Sequence, residues 1–116
     1  MLLVDRKYIV KKFSEIPVER SSCGYRRKLL GYEEGEVASV HLVDISEAKR
    51  HYHKKTTEFY FIVKGSGEME LDGETIHVEE GDLIVIKPGC RHRAVGNMRA
   101  LIIGIPPFTE EDMYYD

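Results

Sequence analysis

The segment His51-Tyr52-His53-Lys54-Lys55-Thr56-Thr57-Glu58-Phe59-Tyr60-Phe61-Ile62-Val63-Lys64-Gly65 decides how this chain is read. His51 and His53 stand two apart, so on a strand both imidazoles face one side. The four residues that follow allow a turn, and Glu58 opens an aromatic and β-branched run that stops at Lys64-Gly65. Two imidazoles and a carboxylate then converge from adjacent strands. Such a set suits Fe, Mn, Ni, Co or Zn as a divalent ion and can leave coordination positions open. His92, just after Pro88-Gly89-Cys90-Arg91, is a fourth candidate ligand.

Around this segment, glycine and proline punctuate the chain every ten residues or so, a pattern of many short strands. Residues 37–43 alternate and are rich in β-branched side chains. Residues 68–71 and 74–78 flank Asp72-Gly73, a dipeptide suited to the positive φ values of a type I′ hairpin. Gly81-Asp82 opens the apolar run 83–86, and the run 101–105 stops at Pro106-Pro107. There is no long helical periodicity; one short helical turn is expected at 109–112, with Thr109 as N-cap. The expectation is an all-β sandwich or barrel in a single domain over residues 1–116, with about eight to ten strands of about five residues.

At 42% apolar and 32% charged residues, the chain reads as neither disordered nor membrane-spanning. No apolar run nears the ~18–20 residues of a membrane helix, and Met1 to Val10 is interrupted by Asp5, Arg6 and Lys7, unlike a signal peptide. A net charge of −3 argues against a nucleic-acid binder. Cys23 and Cys90 form no CxxC pair, which argues against a disulfide framework or cysteine-rich zinc site and points to a reduced, cytoplasmic setting.

The two histidine motifs resemble those of the small single-domain cupins. The family's first motif, G-x5-HxH-x3,4-E-x6-G, is met by His51, His53, Glu58 and Gly65, with Ile45 at the opening glycine. Its second, G-x5-PxG-x2-H-x3-N, is met by Gly81, Gly89 and His92, with Lys87 at the proline position and Gly96 at the asparagine position. These departures touch turns, not ligands. The resemblance implies a double-stranded β-helix, or jelly-roll barrel, holding one divalent transition metal on its inner wall and often assembling as a homodimer.

Other residues offer chemistry. Tyr60 shares the face of Glu58 on a strand and is a candidate general acid or base. His41 either lines the cavity as a proton shuttle or is simply half-buried. His77 is expected at the surface, Cys90 as a small packing residue, and Cys23 carries no signal. Lys49, Arg50, Lys54, Lys55, Arg91 and Arg93 flank the ligands as a positive rim for a carboxylate or phosphate, or as a solvated face. Tyr25 and Arg27 share one face of an extended segment, and one of them could bind substrate in the cavity. Residues 108–116 either cover an opening or pack on a partner chain. The resemblance allows dioxygenase, isomerase, lyase and decarboxylase chemistry. The favoured expectation is oxygenase-type chemistry on a small anionic or phenolic molecule. A sugar-phosphate isomerase, epimerase or lyase is one alternative, and a non-catalytic module binding metal and a small molecule is another.

Overall fold

Turn-forming dipeptides and β-branched runs set the topology. In the computed structural model, which describes residues 7–116, seven strands form: β1 (Glu19–Ser21), β2 (Gly24–Leu30), β3 (Ser39–Glu47), β4 (Thr57–Leu71), β5 (Glu74–Glu79), β6 (Leu83–Ile86) and β7 (His92–Ile105). All pairings are antiparallel, in the order β1-β2-β3-β7-β4-β5, and β6 pairs with the first half of β4. The expected hairpin is present: Asp72 and Gly73 have φ of 49° and 88°, and Leu71 pairs with Glu74.

Strand number and length depart from expectation. β4 and β7 run 15 and 14 residues. Gly65, which reads as a strand end, instead lets two long strands press together, and Gly96 does the same from the other strand. A Cβ on Gly65 would meet the Asn97 carbonyl oxygen at 2.4 Å, and Gly65 has φ of 85°. The ladder runs from Thr57–Ile105 to Leu71–His92, with a register shift between Ile62 and Lys64. That extra residue reverses the inward set. Glu58, Tyr60 and Ile62 point inward before it, and Met69 after it.

Val43 and Ile45 of β3, Tyr60 and Ile62 of β4, Ile86 of β6 and Ala100 of β7 belong to one buried cluster. A sheet whose strands share one core must curl round it. Its outer side is apolar too: positions 59, 61, 83, 85, 101, 103 and 105 all carry apolar side chains. Phe61, Val63, Leu83, Val85 and Ile105 are 43–59% exposed, where an antiparallel sheet facing water ordinarily alternates to polar residues.

The helical elements among the described residues are three 3-10 turns, Phe13–Glu15, Tyr32–Glu34 and Glu110–Asp112. Thr109 occupies the N-cap position of the last, but its side chain makes no capping hydrogen bond. No helix among the described residues is long and apolar enough to cross a membrane. The reading of Met1 to Val10 rests partly on residues 1–6, which lie outside the described residues.

Candidate metal centre

Backbone bridges bring the four candidate ligands together. Glu58 begins the inward set of β4. His92 opens β7 and exchanges two backbone hydrogen bonds with His51, at 3.1 and 2.9 Å. The Gly89 N–H donates to the His53 carbonyl at 2.7 Å, tying the Pro88-Gly89 turn to the histidine pair. One ligand atom from each of His51, His53, Glu58 and His92 then lies within 4.8 Å of all the others, and all four residues are buried.

Each imidazole is held by its far nitrogen. Nδ1–H of His51 donates to the Lys49 carbonyl (2.7 Å), that of His53 to the Asp112 carbonyl (2.9 Å) and that of His92 to the Cys90 carbonyl (2.9 Å). A carbonyl only accepts, so Nδ1 carries the proton in all three rings and the neutral tautomer leaves a lone pair on Nε2. The same arrangement orients imidazole ligands in metal sites.

The Nε2 atoms of His53 and His92 lie 3.1 and 3.2 Å from Glu58 Oε1. Burial pushes the Glu58 carboxyl up, but the facing His53 and His92 side chains push it down further, to about 2. Burial pulls the His53 imidazolium down, and Glu58 and Asp112 outweigh it, so His53 stands above its usual value. His51 is brought down to about 4, by burial first and then by His92. His92 Nε2 is buried with no hydrogen-bond partner. A carboxylate set against two imidazole nitrogens needs a positive charge between them, which a second proton on His53 or a bound cation can supply. The residues present fit a divalent cation.

Three of the candidate ligands, His51, His53 and Glu58, border a cavity of about 40 Å³, room for only a few waters, whose wall includes Cys23, Arg26, His41, Tyr60, Phe108 and Met113. Arg26, His41 and Phe108 also line an outer pocket of about 220 Å³ with Lys28, Tyr32 and Glu110. Tyr60 is thus beside the ligands, and burial, then Glu58, raises its hydroxyl well above 10. His41 is 8% exposed and packs edge-on against Phe108. Burial, then Arg26 and Lys28, holds its pKa at about 4. Cys23, passed over in the sequence, is a buried free thiol on the cavity wall.

The structure corrects one expectation and bears on two that were left open. Tyr25 and Arg27 are not in the cavity: Tyr25 is exposed beside Arg20, and the Arg27 guanidinium stacks over Phe13. Strand β2 starts from the buried Gly24, so alternation turns Arg26 and Lys28 inward instead. The six basic residues flanking the ligands line neither the cavity nor the outer pocket. Lys49 lies over Tyr115, Lys54 over Tyr114 and Arg91 over Tyr52, while Arg93 pairs with Glu70. Third, residues 108–116 pack across their own chain. Tyr114 and Tyr52 bridge through their backbones, and Asp116 pairs with Arg91. His77 is exposed, as expected, near Glu79. Cys90 has a partly buried free thiol and does not line the cavity.

A family model described as the Cupin domain matches residues 34–103, which contain all four ligands. The chain belongs to the cupin family. An uncharacterized protein of Methanocaldococcus jannaschii is 37% identical over 71 residues, covering 58% of this chain and 57% of that one. An acireductone dioxygenase of a Sulfurihydrogenibium species is 42% identical over 52 residues, 41% of this chain and 29% of that protein. The chain thus spans little more than half, or less, of these relatives. A solved structure of a protein from Planctomyces limnophilus superposes with a TM-score of 0.85 at 28% identity, covering 96% of this cupin and 98% of that chain.

Proposed function

We propose that this cupin is a metal-dependent enzyme acting on a small anionic molecule, with oxygenase-type chemistry. The observation that carries the reading is the set of imidazoles anchored through Nδ1 and aimed, with Glu58, at one point on the wall of a cavity. A divalent transition metal held by His51, His53, Glu58 and His92 supplies Lewis acidity and, when it is iron, a route for electrons to O₂. The chain's own groups do the rest. Arg26 reaches both the cavity and the outer pocket. It pairs with Glu19 at 2.8 Å and only loosely with the exposed Glu110 at 3.7 Å, a contact that a substrate carboxylate or phosphate can replace. Tyr60, kept protonated by burial and then by Glu58, is suited to donating a hydrogen bond to a bound substrate rather than to acting as a base. The acireductone dioxygenase relative supports oxygenase chemistry over the matched stretch.

One observation favours a second reading. His41 is neutral down to about 4 and stands on the cavity wall. A neutral imidazole there can take a proton from a carbon acid, as an isomerase or lyase needs without O₂.

The test begins with metal. Purified protein reconstituted with Fe(II), Ni(II) or Mn(II) is expected to hold about one ion per chain, and His51→Ala with His53→Ala to hold none. The loaded protein is then assayed for O₂ uptake with catechols, flavonols and β-dicarbonyls, and anaerobically for isomers of sugar phosphates. Uptake with any substrate supports the oxygenase reading; none with any metal excludes it, and isomer formation selects the second.

A further inference from the structure

We propose that residues 108–116 are a strap whose docking sets the metal site, with Asp112 as its positioning residue, so that metal binding and strap docking stabilise each other. The proposal rests on the metal reading above. It comes from one buried residue, 4% exposed, that holds His53 and the turn leading from it to Glu58. The Asp112 carbonyl accepts Nδ1–H of His53 at 2.9 Å, fixing that ring's tautomer and orientation. Its carboxylate accepts the backbone N–H of Lys54 (3.0 Å), of Lys55 (3.1 and 3.3 Å) and of Thr56 (3.1 Å). Those three amides belong to the turn between His53 and Glu58. A turn with three successive N–H groups aimed inward needs an anion to satisfy them. Asp112 supplies it from 56 to 58 residues away.

The rest of the strap is built into the same wall. Phe108 packs edge-on against His53 and His41, and its N–H donates to Ser39 Oγ at 2.9 Å. Met113 lines the cavity, and Tyr114 stacks on Tyr52 between the first two ligands. With the strap lifted, His53 loses its Nδ1 partner and the 54–56 turn loses its anchor, so His53 and Glu58 are free to separate. Binding free energies are reciprocal. An ion that needs His53 and Glu58 in place must therefore hold the strap down, and a weakened strap must weaken the ion by the same factor.

The experiment measures Co²⁺ affinity by chelator competition, the visible bands of bound Co²⁺, and hydrogen exchange in peptides covering 52–58 and 108–116. Asp112→Ala is expected to weaken Co²⁺ binding by about 10–100-fold and to alter its bands. Asp112→Asn, which keeps one oxygen acceptor, should recover part of the loss. In the wild type, Co²⁺ should slow exchange in 108–116 as well as in 52–58. Val78→Ala, a core change on β5 outside the cavity wall, serves as the control for lost stability alone and should leave the affinity within about twofold. Asp112→Ala binding Co²⁺ as the wild type does, with unchanged bands, overturns the proposal. If Asp112→Ala does not fold, the wild-type exchange decides: no slowing in 108–116 on adding Co²⁺ overturns it too. A wild type that binds no Co²⁺, Fe(II), Ni(II) or Mn(II) fails earlier, at the metal reading, and takes the strap linkage with it.

Discussion

At the residue scale, the chemistry is set by which nitrogen of each histidine is occupied. Three Nδ1 atoms are bonded to carbonyls, and the Nε2 atoms of His53 and His92 face a carboxylate. His41 is different, with an edge contact to Phe108 and with burial, Arg26 and Lys28 outweighing the opposing pull of Glu58 and Glu19. Its folded value of about 4 lies below the ordinary 6.5. Between those values the unfolded chain binds a proton that the folded one refuses, so acid favours unfolding. Stability to urea should therefore be fully present above pH 6.5 and decline as pH falls toward 4, and the decline should be shallower in His41→Phe. Equal slopes in the two proteins would show that His41 does not titrate this way. The candidate ligands were legible in the sequence because close spacing joins His51, His53 and Glu58, and the turn and second motif around Pro88-Gly89 mark His92. Asp112 was not, because its partners lie more than fifty residues away. Arg26 was missed in favour of Tyr25 and Arg27 because inward alternation can be assigned only once the first residue of β2 is known.

At the element scale, the pair β4–β7 is the frame on which two of the ligands, Glu58 and His92, are carried. The sequence showed β6 and the hairpin with their boundaries, since turn residues bracket both. It suggested several short strands where two long ones run, because glycine reads as a break whether it ends a strand or lets a neighbour approach. Gly65 does the second. Gly65→Ala would strain a backbone at φ of 85° and drive its Cβ into the Asn97 carbonyl oxygen. It should cost at least about 2 kcal/mol in urea unfolding. Gly73→Ala, where a Cβ meets nothing within 4 Å, should cost less. Similar losses at the two sites would mean that φ alone, not contact between strands, fixes Gly65.

At the scale of the whole molecule, the outer side of β6, β4 and β7 presents apolar side chains to solvent, five of them 43–59% exposed, the kind of patch that marks an interaction surface. We infer that a second copy covers it: an uncharged face can meet its own image across a two-fold axis without burying a charge. Light scattering should give twice the chain mass for the wild type and the chain mass for Phe61→Glu with Leu83→Glu; a monomeric wild type would refute the assignment. The register shift between Ile62 and Lys64 has a further consequence, in what lengths this chain can tolerate. Adding or deleting one residue in 59–62 would turn either Glu58 or Met69 to the wrong side, so drift there must proceed by substitution. The tip can grow at Gly73, which has open space around it, while Asp72 stays fixed by its hydrogen bonds with the Arg91 backbone beside His92. Among descendants of this barrel, length variation should gather at that tip and be missing between Glu58 and Gly65.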